Sequence, residues 1–229
     1  MNIALIIAGG VGKRTGYDVP KQFISIREKP ILIYTLEAFE KHPMIDEICI
    51  VCLIGWKEVV KAYARQFHIS KLKWIADSGE TGQESIFNGI SLLKEHYSSE
   101  DAVFIHDAVR PLISNEVLNN LISTFNNHGS GVTAIPCTEA VLRSADGIQS
   151  QESIPRDQLF RTQTPQVYTL SKLIWAHNEA AKLGIRNSVS TCTLMSELGE
   201  TIYLSPGAER NMKITTDSDI SMISALLEI

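Results

Sequence analysis

Five consecutive apolar residues, Ile3 to Ile7, run straight into Ala8-Gly9-Gly10-Val11-Gly12-Lys13-Arg14-Thr15-Gly16, and Pro20-Lys21-Gln22 follows closely. The apolar run reads as a buried strand that delivers the chain into the glycines. Gly9, Gly10 and Gly12 remove the β-carbons that would hold a ligand away from the backbone. Backbone N–H groups in such a turn can point inward and cradle an anion. Lys13, Arg14 and Lys21 add three cations within nine residues, a charge density suited to a polyphosphate. A glycine turn with a basic flank is common by itself. Placed after a first buried strand, the combination predicts a nucleoside triphosphate loop.

Gly10-x-Gly12-x-x-x-Gly16 also matches the dinucleotide fingerprint of short-chain NADP-dependent dehydrogenases. That fingerprint needs a helix starting inside the glycines and an acidic residue roughly twenty positions later. Pro20 blocks a regular helix interior across the segment. Tyr17-x-x-x-Lys21 imitates the dehydrogenase catalytic pair, but with Pro20 between them the two cannot share a helix face. The triphosphate reading is preferred.

A chain of 229 residues can bury a substantial core. Its net charge of −5 argues against a general nucleic-acid binder, so the useful positive charge is local to the glycine loop. No apolar segment is long enough to span a bilayer, and the N-terminal run lacks a secretory cleavage pattern. Cys49 and Cys52 have C-x-x-C spacing but lie within Ile48-Cys-Ile-Val-Cys-Leu53, a core-strand pattern without a second ligand pair. They read as buried small hydrophobes in a reducing cytoplasm.

Strand and helix patterns alternate through the first half. Strands are expected at Ile45–Leu53, Leu72–Ala76 and Ala102–His106, with helices at Pro30–Lys41, Trp56–Phe67 and Glu84–Tyr97. Ser114 reads as the cap of a further helix. The alternation implies an α/β fold: a Rossmann-like, mostly parallel sheet with helices on both faces. Ligands in such sheets lie at the carboxyl ends of strands, where the glycine loop, Asp107 and the 77–82 loop would converge. The pattern breaks over 137–162, where Asp146-Gly147 predicts a two-residue hairpin. A helix near Leu170–Leu183 ending at Gly184, another near Ser190–Leu198, a strand at Thr201–Leu204 and a last helix capped by Thr216 are expected after it. With no repeat or linker visible, residues 1–229 are read as one domain.

Ile105-His106-Asp107-Ala108-Val109-Arg110-Pro111 ends a buried strand with an acid and a base. Asp107 suits a magnesium ligand or a loop cap, His106 a packed histidine, and Arg110 an ion pair or a phosphate contact. Taken with Ala8-Gly-Gly-x-Gly-x-Arg14, Pro20-Lys-Gln-Phe23, Thr164-Pro-Gln166 and Asn211-Met-Lys-Ile-Thr-Thr216, the chain resembles the cytidylyltransferases that activate methylerythritol phosphate or ribitol phosphate. The pieces run in family order over essentially the whole length. Gln163-Thr-Pro-Gln166 and Met212-Lys-Ile-Thr-Thr216 look closer to the ribitol 5-phosphate branch.

The resemblance implies transfer of CMP from CTP to a polyol phosphate, with Mg²⁺ or another divalent cation held at Asp107. It places Ala8, Gly9, Gly10, Gly12, Lys13 and Ala108 around the nucleotide, with Gly79, Glu80 and Ser85 at the cytosine. Arg14 and Lys21 would hold the triphosphate, while Arg156, Lys213 and Thr164 would meet the polyol phosphate. The segment at about 138–160 becomes a β-hairpin arm that completes a partner's site in a homodimer, where pattern alone favours a surface hairpin. Methylerythritol phosphate is the alternative acceptor, and a non-catalytic nucleotide-binding relative is a more distant reading. Three positions depart from the family pattern. Gly82 stands where an arginine is usual, Glu139-Ala140 where Asp-Thr is usual, and Ser190 where an aspartate is usual.

Overall fold

A computed structural model describes residues 1–10 and 19–227. In chain order the elements are β1 (Asn2–Ala8), the short strands β2 (Ser25–Ile26) and β3 (Lys29–Pro30), α1 (Ile31–Lys41) and β4 (Glu47–Cys52). Next come α2 (Lys57–Gln66), β5 (Leu72–Asp77), α3 (Gly82–Lys94), β6 (Ala102–Asp107) and α4 (Asn115–His128). The second half comprises β7 (Ser130–Pro136), β8 (Val141–Arg143), β9 (Glu152–Ile154), β10 (Phe160–Thr169), α5 (Leu170–Leu183), α6 (Thr191–Glu197), β11 (Leu204–Pro206) and α7 (Asp217–Leu226).

The main sheet among the described residues has seven strands in the order β11-β7-β10-β6-β1-β4-β5. The apolar first strand therefore lies well inside it, parallel to both β4 and β6. Strand β10 alone runs against its neighbours β6 and β7. Alternate residues of the central strands feed two cores, as the period of two requires. Ala4, Ile6, Ile48, Ile50 and Phe104 face one core, packed by α1, α2 and α4 through Leu36, Val60 and Leu118. Ile3, Leu5, Cys49, Val51 and Val103 face the other, packed by α3, α5 and α6 through Ile90, Leu173 and Met195. Full burial of each such side chain stabilises the fold by about 1.5–3 kcal/mol before chain entropy is counted. A third cluster, including Ile26, Ile31, Val109, Ile214 and Ile223, pins the C-terminal segment beside the end of β6.

Several expectations hold closely. Ser114 caps α4 by accepting from the Val117 N–H, and α5 ends at Gly184 in the left-handed conformation. Thr216 and Asp219 form a capping box on α7. Others need correction. The Asp146-Gly147 pair does not join two strands directly, because β8 and β9 are separated by residues 144–151. Asp146 instead folds that longer loop by accepting from the N–H groups of Ile148 and Gln149 at 2.9 and 3.2 Å. The expected strand at Thr201–Leu204 lies further on, at β11, where buried Ser205 rather than an apolar residue points inward. Strands β7 and β10 have no counterpart in the sequence reading. No helix among the described residues is long and apolar enough to cross a membrane.

Candidate active site

The carboxyl ends of β1 and β6 open into a cavity of about 520 Å³. Ala8, Gly9 and Gly10 enter it from β1, Asp107 and Ala108 from β6, and Lys21 from the segment after the glycine loop. Gly79 and Glu80 line it from the β5–α3 connection, Ser85 from the first turn of α3, Thr164 from β10, and Lys213 from the segment before α7. Gly12, Lys13 and Arg14 lie outside the described residues. Arg156 does not line the cavity of its own chain: it follows β9, and its guanidinium donates to the Thr138 carbonyl at 3.0 Å.

The first two glycines serve different purposes. A β-carbon at Gly9 would fall 2.5 Å from Ser78 Cβ, so its absence lets the loop pack against the residue that follows β5. At Gly10 a β-carbon would meet nothing within 4 Å among the described residues. Gln22, buried to 1% exposure, holds both sides of this turn. Its Nε2 donates to the carbonyls of Ala8 at 2.7 Å and Gly10 at 3.1 Å.

The β5–α3 loop is fixed by local hydrogen bonds. Thr81 caps α3 by accepting from the Glu84 N–H. Ser85 Oγ accepts from the Gly79 N–H at 3.1 Å and donates to the Thr81 carbonyl at 2.9 Å. Glu84 Oε2 accepts from the Glu80 N–H at 2.8 Å. The Ser85 hydroxyl is thus engaged in shaping the loop around Gly79 and Glu80. Gly82, the position where an arginine is usual, forms the first residue of α3.

Asp107 is the electrostatic centre of the opposite side. Arg110 Nε donates to its Oδ2 at 3.0 Å, and Lys213 Nζ to its Oδ1 at 3.0 Å. Burial alone would raise the Asp107 carboxyl, but Lys213 and Arg110 outweigh it and draw it down to about 2. The carboxylate is therefore ionised at neutral pH. Arg110 also donates to the Asn211 carbonyl at 2.8 Å, so it acts as an internal brace. His106 is fully buried, which pushes its ring down to about 4. Its Nε2 lies 3.2 Å from the Arg110 carbonyl and its Nδ1 3.1 Å from Thr164 Oγ1. The expected packed histidine is thus a neutral strut between β6 and β10. Lys21 Nζ donates to the Ile214 carbonyl at 2.9 Å, tying the glycine-loop side of the cavity to the C-terminal segment.

This arrangement has a backbone turn, an ionised carboxylate held by Lys213 and Arg110, and Lys21 on the same cavity, and among the described residues it offers no Ser–His or Cys–His nucleophile pair. It suits chemistry between phosphates. The family model for 2-C-methyl-D-erythritol 4-phosphate cytidylyltransferase (IspD) matches residues 2–229. The chain belongs to this family. Membership makes it a CTP-dependent nucleotidyltransferase, and the dehydrogenase reading is set aside. It is similar to the ribitol-5-phosphate cytidylyltransferase of Lacticaseibacillus paracasei, with 39% identity over 99% of this chain and 98% of that protein. Similarity to the ribitol-5-phosphate cytidylyltransferase of Vibrio parahaemolyticus is 36% over 100% of this chain and 96% of that protein. A crystal structure of 4-diphosphocytidyl-2C-methyl-D-erythritol synthase superposes with a TM-score of 0.81 at 27% identity, covering 99% of this chain and 97% of that one.

Within the IspD fold of this chain, several lining residues carried no role in the sequence reading. Gln163 and Gln166 line the cavity from β10, and Asn211 Nδ2 donates to the Thr164 carbonyl at 2.8 Å. Gln22 and Asn211 sat inside recognised motifs, which was their only signal. His177 also lines the cavity, from α5. Its helical spacing among Leu173, Ala176 and Ala180 places it on the buried face of α5, a signal the sequence reading did not take up.

Proposed function

We propose that this chain transfers CMP from CTP to ribitol 5-phosphate, forming CDP-ribitol and pyrophosphate. The observation that carries this reading is the full-length identity to ribitol-5-phosphate cytidylyltransferases reported above. Methylerythritol phosphate is the alternative acceptor, favoured by the description of the family model.

The cavity supplies the electrostatics such a transfer needs. A phosphate monoester is anionic at neutral pH and is itself the nucleophile, so no general base is required. One of its oxygens bonds to the α-phosphorus of CTP as the bond from that phosphorus to the bridging oxygen breaks and pyrophosphate leaves. The barrier lies in bringing two anions together and in stabilising the departing charge. Lys21, with Arg14, holds the triphosphate, and the backbone at Ala8, Gly9 and Gly10 approaches the nucleotide. Gly79 and Glu80 read the cytosine, with Ser85 setting their geometry, and Ala108 lies by the ribose. Lys213 and Thr164 meet the acceptor phosphate, while Arg156 reaches it from a partner's arm in a homodimer.

A divalent cation fits Asp107. Magnesium is commonly held by one or two carboxylates plus substrate phosphates, and among the described residues no group of three or more acidic, His or Cys side chains forms a dedicated cage. Asp107 Oδ2 accepts from Arg110 and, at 3.5 Å, from Thr164 Oγ1, whereas Oδ1 accepts from Lys213 and retains lone-pair capacity. Bound there with CTP, the ion would neutralise triphosphate charge. The cytoplasm is the proposed setting. Cys49 and Cys52 are free, and burial pushes their thiols up to about 12 and about 11. Pyrophosphate release measured over four nucleoside triphosphates and a panel of polyol phosphates tests the assignment. Efficient use of CTP with ribitol 5-phosphate supports it, and equal use of ATP or a preference for methylerythritol phosphate overturns it.

A further inference from the structure

The cavity has two walls of different character. On one, Arg110 and Lys213 pair with Asp107, and Lys21 lines the same cavity. On the other, α3, α5 and the start of α6 present Gln83, His177, Ser190 and Thr193. Most polar groups on this second wall are already engaged. Gln83 Nε2 donates to the Ile185 carbonyl and its Oε1 accepts from the Ser188 N–H, both at 2.9 Å. Ser190 Oγ accepts from the Thr193 N–H at 3.3 Å and lies 2.9 Å from Thr193 Oγ1.

His177 is the exception. It is 7% exposed, lines the cavity, and its buried Nε2 has no hydrogen-bond partner among the described residues. Phe87 stacks on the ring with centroids 5.5 Å apart and planes 29° from parallel, which fixes its orientation. Burial pushes the ring down to about 4, so it is neutral at physiological pH and offers one N–H and one lone pair. A buried polar nitrogen without a partner is costly, and its retention at a ligand cavity points to a group that the ligand brings. A hydroxyl, both donor and acceptor, is the matching chemistry. The phosphate end of an acceptor belongs to the cationic wall, so its carbon chain extends toward the uncharged one.

We infer that His177 is a specificity residue that hydrogen-bonds a hydroxyl of the acceptor's sugar-alcohol chain, away from its phosphate. The inference rests on the reading of the cavity as a polyol-phosphate site. It assigns acceptor selection to α5, an element that carries none of the sequence-recognised motifs.

Kinetics of His177→Phe and His177→Gln beside the wild type test this. Phenylalanine keeps the ring against Phe87 and deletes the nitrogens, whereas glutamine restores a donor and an acceptor. The expected result for His177→Phe is a roughly tenfold higher KM for ribitol 5-phosphate, with an unchanged KM for CTP and an unchanged melting temperature. His177→Gln should recover most of the loss. An unchanged KM for ribitol 5-phosphate overturns the inference, as does a rise in the KM for CTP, which would place the ring at the nucleotide. So that a folding defect in a variant leaves the question decidable, the wild type with ¹⁵N-labelled histidine is titrated by NMR. The His177 ring nitrogens should shift when ribitol 5-phosphate joins the CTP-bound enzyme, and no shift at that step contradicts the role. A wild type that turns over no polyol phosphate refutes the functional reading itself, and that is seen before any variant is compared.

Discussion

Asp107 keeps its charge because Lys213 and Arg110 outweigh its burial, and this sets the tone of the site at the level of single residues. Lys21 stands apart from that trio and reaches across to the Ile214 carbonyl. It lies in a polar stretch, so truncation should leave the cores intact. Lys21→Ala is expected to lower kcat by roughly a hundredfold, about 3 kcal/mol of lost charge stabilisation, with a melting temperature near wild type. A wild-type rate in that variant would refute the role. His106 and His177 carry a second prediction. Burial lowers both rings from 6.5 to about 4. Between those values the unfolded chain takes up protons that the folded chain refuses. Stability is therefore complete above pH 6.5 and falls as pH drops toward 4, by up to ~1.4 kcal/mol per pH unit for each ring. His177→Gln should flatten the slope by about one proton in urea titrations across this window, and an unaltered slope would contradict the burial account. Among individual residues, Gly9, Gly10, Lys21 and Lys213 were legible as cavity-lining candidates because glycines and cations stand out in an apolar context. The glutamines and Asn211 were not, since a buried amide is recognisable only once the backbone groups it bridges have been brought together.

At the scale of elements, legibility followed local periodicity. β1, β4 and β6 are apolar runs, and α4 and α5 carry both their stripes and their end signals. β10 is different. It reads Phe-Arg-Thr-Gln-Thr-Pro-Gln-Val-Tyr-Thr, and its register shifts between Thr162 and Gln166 where it passes the cavity. It is a strand because β6 and β7 flank it on both sides, a long-range cause that no window of sequence contains. The hairpin of β8 and β9 forms a sheet separate from the main one, and Leu142 and Ile148 on it are 64% and 89% exposed. In the proposed homodimer this arm would deliver Arg156 to the other chain's acceptor phosphate. Arg156→Ala should raise the KM for the polyol phosphate and spare CTP binding. Arg156→Lys should not rescue it, because lysine lacks the two-pronged phosphate contact. Mixing Arg156→Ala with Lys21→Ala chains should restore activity, since a mixed dimer holds one site with both residues intact. No recovery, with subunit exchange verified by labelled chains, would show that the arm does not complete a partner's site.

Over the whole molecule, the sheet order explains why so few residues define the chemistry. Strands β1 and β6 are neighbours, so the glycine turn and Asp107 emerge side by side at one edge. The third apolar cluster then folds the C-terminal segment back over that edge and brings Lys213 to Asp107 from 106 residues away in sequence. The class of fold and the β1–β6 side of the cavity were therefore readable from the first half of the chain. The opposite side was less so, because it is assembled from β10, α5, α6 and the C-terminal segment. Cytidylyl transfer to a sugar-alcohol phosphate is read most directly from product formation by the purified chain with CTP, Mg²⁺ and ribitol 5-phosphate or methylerythritol phosphate in parallel. The account predicts stoichiometric CDP-ribitol and pyrophosphate, with kcat/KM for ribitol 5-phosphate well above that for methylerythritol phosphate. Preferential formation of the methylerythritol product, or no CDP-polyol with either acceptor, would contradict it.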